Sequence, residues 1–297
     1  SLNDRPRSGR PRTKSTSATI RRVKQLLRRN PRRSMKSMSK DLGVSPTTAF
    51  RIAKKYLGLK AYKKVQVQML SAKDKDRRKA KASTLLKRFT DDEVDRIIFS
   101  DEKMFTVSER VNRQNDRVYA ARKEDLPQAA LKFRKAEFPA KIMVWGAVCS
   151  RGTLKLKFVD PGTKVNSDYY QNEILDPVLL PEARRLYPDG DWCFQQDGAP
   201  SHTSRTTQAW LRNHVPAFIT KDEWPAKSPD LNPLDFSIWG MLEAKVNSRS
   251  HTSIDSLRKT IQREWSLLSA DTVEKAVRVW RKRLRACRQA KGDHFEC

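Results

Sequence analysis

Hydrophobic positions along the chain fall into two regimes. Between residues 19 and 57 they recur at helical spacing: Ile20, Val23, Leu26 and Leu27 share one face, which ends at Asn30-Pro31. Ser34 is placed to cap a second helix burying Met35, Met38 and Leu42, and Gly43 permits the tight turn after it. Ser45-Pro46 reads as the cap and first residue of a third helix through Tyr56, with Ala49, Phe50 and Ala53 available for packing. Helix, helix, short glycine turn, helix is the helix-turn-helix layout.

From residue 91 short apolar runs alternate with longer amphipathic ones. Strands are predicted at Asp95–Asp101, Gln114–Ala121, Lys141–Cys149, Thr153–Val159, Trp192–Asp197 and Ala217–Thr220. Helices are predicted at Tyr169–Tyr187, which carries Tyr170, Ile174, Leu175, Val178, Leu179 and Ala183, at Thr203–Asn213 and at Pro233–Val246. The expected architecture is an all-α domain followed by an α/β domain.

Charge sharpens this division. The chain has 297 residues and a formal net charge of +28. Residues 1–90 hold 28 Lys/Arg and 4 Asp/Glu, residues 91–277 are balanced at 27 basic and 28 acidic, and the last twenty residues add a net +5. A basic arm joined to a near-neutral body suits a polyanionic partner, above all nucleic acid. No run approaches 18 apolar residues and no apolar segment opens the chain, so neither a membrane span nor a secretory signal is expected. Cys149, Cys193, Cys287 and Cys297 lack ligand spacing and the four histidines do not pair at metal spacing, which argues against a disulfide scaffold or a zinc finger. The organisation read from these shifts is a basic arm at 1–17, a helix-turn-helix domain at 18–62, a basic linker at 63–90 and an α/β domain at 91–297.

Within the arm, Arg5-Pro-Arg7-Ser-Gly-Arg10-Pro-Arg12 is held extended by proline, and its arginines, Arg10 and Arg12 foremost, fit a narrow, electronegative minor groove. In the third helix, Ser45, Thr47, Thr48 and Arg51 sit at the end that reaches base edges in a major groove, with Lys54 and Lys55 placed for phosphates. Lys60–Arg88 adds eleven basic residues, read as a linker and a helix lying along DNA. Lys73–Arg88 also resembles a nuclear import signal, placing the protein in the nucleus.

Chemistry concentrates in the body. Asp101 and Asp197 end apolar strands, and Asp235 lies in the first turn of a helix, positions from which side chains of an α/β fold converge. Three carboxylates without basic ligands suit Mg²⁺ or Mn²⁺, and a pair of such ions would assist in-line phosphoryl transfer. Glu102 and Asp230 are the competing acids. Successive strand residues face opposite ways, so Asp101 is preferred over Glu102 as the one that points inward. Asp230 lies in a Ser-Pro-Asp-Leu-Asn-Pro turn, where aspartate supports the loop. His202 is a possible accessory residue, with a capping or structural role equally open, and Trp145 and Trp239 are expected in the core.

The residues around these acids carry a resemblance. Ile98-Phe-Ser-Asp101-Glu-Lys, Val144-Trp-Gly, Phe194-Gln-Gln-Asp197-Gly-Ala-Pro-Ser-His202-Thr and Trp224-Pro-Ala-Lys-Ser-Pro-Asp-Leu-Asn-Pro-Leu-Asp235 resemble, in order, the catalytic domain of mariner-superfamily DNA transposases, and Gly9-Arg-Pro-Arg12 beside a helix-turn-helix resembles their DNA-binding region. The resemblance implies an RNase H-like (retroviral-integrase-type) core that cuts double-stranded DNA at terminal inverted repeats and joins the 3′-hydroxyl to a TA target, acting as a homodimer on DNA. Its metal-binding catalytic triad falls on Asp101, Asp197 and Asp235, with 37 residues between the last two. A third Asp rather than Glu points to a maT-like branch, and residues 113–140 take the place of the clamp loop. Gly198 departs from the family's usual Asn. The hook begins at residue 9, where relatives carry a further helix-turn-helix before it, so an N-terminally incomplete chain is expected. The alternative is a domesticated, non-catalytic DNA-binding regulator; an RNase H-type nuclease for RNA–DNA hybrids is disfavoured by the helix-turn-helix.

Overall fold

The computed structural model describes residues 15–61, 69–107, 139–249 and 251–295. The chain divides into two compact units, Ser1–Gln66 and Val67–Cys297. Arg10, Arg12, the predicted strand at Gln114–Ala121 and all but the last two residues of the 113–140 segment lie outside the described residues. Among the described residues, no helix is long and apolar enough to cross a membrane.

In the first unit, α1 (Ser17–Arg29), α2 (Met35–Leu42) and α3 (Pro46–Arg51, prolonged by a wider turn over Ile52–Tyr56) enclose a small core of Val23, Met38 and Ile52. Ser34 accepts the amide of Ser37 and Ser45 that of Thr48, each at 3.1 Å, and Gly43 takes the left-handed conformation (φ 59°) that ends α2. Two of the expected inward and outward roles differ. Phe50, expected to pack, is half exposed under the Lys54 ammonium, because the buried stripe of α3 runs through Ala49, Ile52 and Ala53. The Ser45 hydroxyl is occupied in capping and bonds that of Thr48 at 2.9 Å, whereas Thr47, Arg51, Lys54 and Lys55 are exposed.

The second unit is built on a six-stranded sheet in the order β3-β2-β1-β5-β6, with β4 also paired to β2. Strand β1 (Ile97–Thr106) lies antiparallel to β2 (Lys141–Cys149) and parallel to β5 (Cys193–Gln195), which in turn runs parallel to β6 (Ala217–Phe218). The short β3 (Gly152–Thr153) and β4 (Lys157–Val159) complete the antiparallel side. Alternation gives the sheet two apolar faces: Ile97, Phe99, Ile142, Val144 and Val148 on one, and Ile98, Trp145, Ala147 and Cys149 on the other.

Different helices cover each face. The second is packed by α5 (Ser167–Tyr169), continued by wider turns over Tyr170–Leu179 and by α6 (Leu180–Leu186), with Leu211 coming from α8 (Arg205–His214), which follows the short α7 (Pro200–Thr203). The first is packed by α4 (Ala72–Arg88), by α9 (Trp239–Val246) with its preceding turn Leu234–Ile238, and by α10 (Ile254–Ser266), α11 (Ala270–Arg278) and α12 (Trp280–Gln289). Helix α4 corrects the reading of its own stretch of 63–90 as a linker lying along DNA: Ala82 and Leu85 are fully buried in the same cluster as Trp280 and Leu284, so Ala72–Arg88 is part of the α/β unit. Its eight basic side chains masked a narrow apolar stripe.

Candidate active site

Strand β1 outruns its neighbour. The pairing of β1 with β5 stops at Phe99 opposite Gln195, where the chain of β5 leaves the sheet, while β1 continues beside β2 to Thr106. A cleft of about 490 Å³ opens in the gap, lined by Asp101, Glu102, Asp197, Gly198, Asn232 and Asp235 among others. The parallel strand end thus presents its carboxylate where ligands of open α/β sheets bind.

Asp101, Asp197 and Asp235 reach this cleft from three different elements. Asp101 faces the side of the sheet that holds Trp239, whose indole N–H donates to Asp101 Oδ2 at 2.7 Å. Asp197 follows β5; its Oδ1 accepts the Ala199 amide at 2.9 Å and lies 2.6 Å from His202 Nδ1. Asp235 sits in the widened turn Leu234–Ile238 that opens α9, a local geometry common at functional sites. Asp230 does not join them: it grips Arg78 from the loop, at 2.9 and 2.7 Å.

Glu102 does join them, against the expectation that only one of the two neighbouring acids could line the cleft. The two carboxyls do leave opposite faces, but with no β5 partner beyond Phe99 the gap is reached from both. Glu102 Oε1 is buried and pairs with His202 Nε2 at 3.3 Å. His202 is therefore clasped between two acids, is 3% exposed, and has its ring 4.2 Å from that of Tyr170.

The electrostatics divide the cluster. Burial, reinforced by the charges of Asp235 and Glu102, pushes the Asp101 carboxyl well above the usual range, against the Trp239 hydrogen bond. Burial raises Asp235 to about 6, opposed by Lys103 and aided by Asp197 and Glu102. Asp197 is held below its ordinary value because His202 and the Ala199 amide overcome its burial. His202 is disfavoured by burial, yet Glu102 and Asp197 raise it to about 10, so it carries a proton. Glu102, Asp197 and His202 bring one ligand atom each within 4.8 Å of one another. The carboxylates gathered in the cleft are a donor set fitted to a hard divalent cation.

Gly146 faces Asp101 across the β1–β2 ladder, and a Cβ added there would lie 2.8 Å from Trp239 Cη2 and 3.2 Å from Trp265 Cη2. Gly146→Ala is expected to cost about 1–3 kcal/mol by overpacking, read as a lower urea midpoint. It should also displace the indole that positions Asp101, seen as a shift in tryptophan fluorescence where the variant is fully folded.

Comparison with known proteins places this architecture. No family model matches the chain. The Tc3 transposase of Caenorhabditis elegans is 32% identical over 192 residues, covering 64% of this chain and 54% of that protein. The chain spans about half the length of the curated nematode relatives it matches. Among solved structures, the Mos1 transposase paired-end complex with the left transposon end is similar over 100% of this chain and 84% of the other, with TM-score 0.73 and 21% identity. The catalytic domain of Mos1 mariner transposase is similar over 78% of this chain and 100% of its own length, with TM-score 0.61 and 21% identity. The chain is thus similar in sequence to the Tc3, Tcb1 and Tc1 transposases and shares the fold of Mos1 transposase, its catalytic domain included.

Proposed function

We propose that this chain is a cut-and-paste DNA transposase, which binds double-stranded DNA at terminal inverted repeats, cleaves at the ends and joins the 3′-hydroxyl to a TA target. The observation that carries the reading is the meeting of Asp101, Asp197 and Asp235 in one cleft, where burial and mutual repulsion raise Asp101 and Asp235. Homology to Tc3 transposase, and the fold shared with Mos1 assemblies solved on transposon ends and with Mg or Mn, support it. A homodimer on DNA, a nuclear location and a maT-like, all-aspartate branch belong to the same proposal.

Asp101, Asp197 and Asp235 would hold Mg²⁺ or Mn²⁺, two ions in the full proposal, since their oxygens match hard cations. Bound there, the metal would supply Lewis acidity at the scissile phosphate. The chain's own residues do the rest. Trp239 fixes the Asp101 carboxylate by its N–H, and the Ala199 amide and His202 fix Asp197. Charged His202 neutralises Asp197 and Glu102 in part, limiting repulsion where polyanionic DNA must approach.

In the first unit, Thr47, Arg51, Lys54 and Lys55 present an exposed polar and basic face of α3 and its extension, suited to a major groove. Ser45 and Thr48 would contribute chiefly by fixing the start of α3. Arg10 and Arg12 are proposed for the adjoining minor groove. With about 8 phosphate contacts, log K for duplex binding should fall with log[salt] at a slope of about −7. Fluorescence anisotropy from low to high salt checks this, and a nearly flat response would remove DNA tracking from the account. Nicking of an end-bearing duplex in Mn²⁺ separates a transposase from a DNA-binding regulator that has lost catalysis.

A further inference from the structure

We propose that Arg78, on the buried face of α4, is a positioning residue that sets the cleft loop 226–232 and through it the placement of Asp101 and Asp235; this rests on the cleavage reading above. Arg78 is 1% exposed and does not line the cleft. It therefore touches neither substrate nor the reacting atoms. Instead its guanidinium is spent entirely on backbone and side-chain acceptors 149 or more positions away in sequence.

The two N–H groups of its Nη1 are shared among the Lys227 carbonyl at 3.1 Å, Ser228 Oγ at 2.6 Å and Asp230 Oδ1 at 2.9 Å. Nη2 donates to Asp230 Oδ2 at 2.7 Å, completing a two-pronged pair, and Nε donates to the Gly292 carbonyl at 2.9 Å. A planar fork with five N–H groups satisfies this set; an ammonium does not.

The loop so held is not one the chain adopts by local preference. Lys227 has φ 54°, in the left-handed region, and such a backbone persists only where its surroundings hold it. The surroundings are α4: Arg78 takes the Lys227 carbonyl, Asp74 pairs with the Lys227 ammonium at 3.0 Å, and Lys81 donates to the Trp224 carbonyl at 2.9 Å. From Asp230 the constraint runs onward. Asn232 donates to the Ser100 carbonyl at 3.0 Å, beside Asp101, and its Oδ1 accepts the Leu234 amide at 3.1 Å, opening the turn that carries Asp235. One buried arginine thus sets the loop from which both carboxylates are braced.

The test uses the full chain, supercoiled plasmid as the DNA probe and Mn²⁺, with the variants Arg78→Lys and Ser228→Ala. The first keeps the charge and loses the fork; the second removes one acceptor and buries no unpaired charge. Expected are a fall of about 10- to 100-fold in the nicking rate at saturating protein for Arg78→Lys and a smaller loss of about threefold or more for Ser228→Ala. The protein concentration giving half the maximal rate should change less than about twofold, and hydrogen exchange should rise selectively across 226–235. Unchanged nicking by both variants would overturn the proposal while leaving the cleavage reading intact. So would a uniform rise in exchange with a rate that recovers on cooling, which marks a purely structural role. A wild-type chain that leaves the plasmid intact would overturn the cleavage reading and this proposal together, and is told apart because no variant then differs from it.

Discussion

Asp197→Asn is expected to lose metal-dependent strand nicking while binding DNA within about twofold of the unsubstituted chain. The asparagine keeps the shape and an oxygen that can accept the Ala199 amide, so the start of α7 should survive. What it removes is the negative charge nearest His202 and one of the carboxylates proposed to hold metal. Residues that merely orient metal ligands typically contribute about 10- to 100-fold in affinity or activity, so losing the ligand itself should exceed about 10³-fold. DNA contacts are proposed mainly for the first unit and are untouched by the change. Parallel nicking and anisotropy measurements check the result; a variant that binds and still nicks at more than a tenth of the wild-type rate would remove Asp197 from the triad.

Gly292→Ala should be the most damaging small change away from the cleft. Gly292 has φ 82°, its amide closes α12 on the Cys287 carbonyl at 2.8 Å, and its carbonyl receives Arg78. A methyl group there would sit 1.9 Å from the Lys75 carbonyl oxygen, inside the backbone of α4. Strain at a left-handed position and the forced separation of the C-terminal turn from α4 each cost on the order of 1–3 kcal/mol. The turn cannot simply swing away, because Arg78 would lose one acceptor and the Lys75–Asp293 ion pair would part. A total of about 3 kcal/mol would lower the midpoint of thermal unfolding by roughly 6–12 °C for a unit of this size. A midpoint within a degree of wild type would show that the α4–C-terminal contact is not part of the folded core.

Local chemistry made much of this legible beforehand. Ser34, Gly43 and Ser45-Pro46 are caps and a turn whose effects act over three or four residues, and their helices begin and end where those residues require. The apolar starts of two strands were equally readable: Ile97–Phe99 and Cys193-Phe194 are buried apolar runs that lead toward Asp101 and Asp197; β1, however, runs on to Thr106, so Asp101 lies within its strand and not at the end.

Long-range features were not. That Glu102 shares the cleft depends on β5 being three residues long beside a β1 of ten, a difference in strand length that alternation alone does not encode. The partner of Asp230 is an arginine inside the most basic helix of the unit, indistinguishable in sequence from its solvent-facing neighbours. Helices α10, α11 and α12 bury Leu257, Ile261, Val273, Trp280 and Leu284 at helical spacing, but charged and polar residues fill most of the positions between and mask the apolar face. Phe50 erred in the opposite direction: an aromatic at helical spacing reads as core unless the neighbouring Ile52 already fills the site.

The carboxylate cleft of the α/β unit is proposed to cut DNA with a divalent metal. The most direct measurement is the conversion of supercoiled plasmid to nicked circles by the full chain in Mn²⁺, in Mg²⁺ and in EDTA, alongside Asp235→Asn. Nicking in both metals, none in EDTA and none by Asp235→Asn is the predicted result; nicking that persists in EDTA or in Asp235→Asn would contradict it.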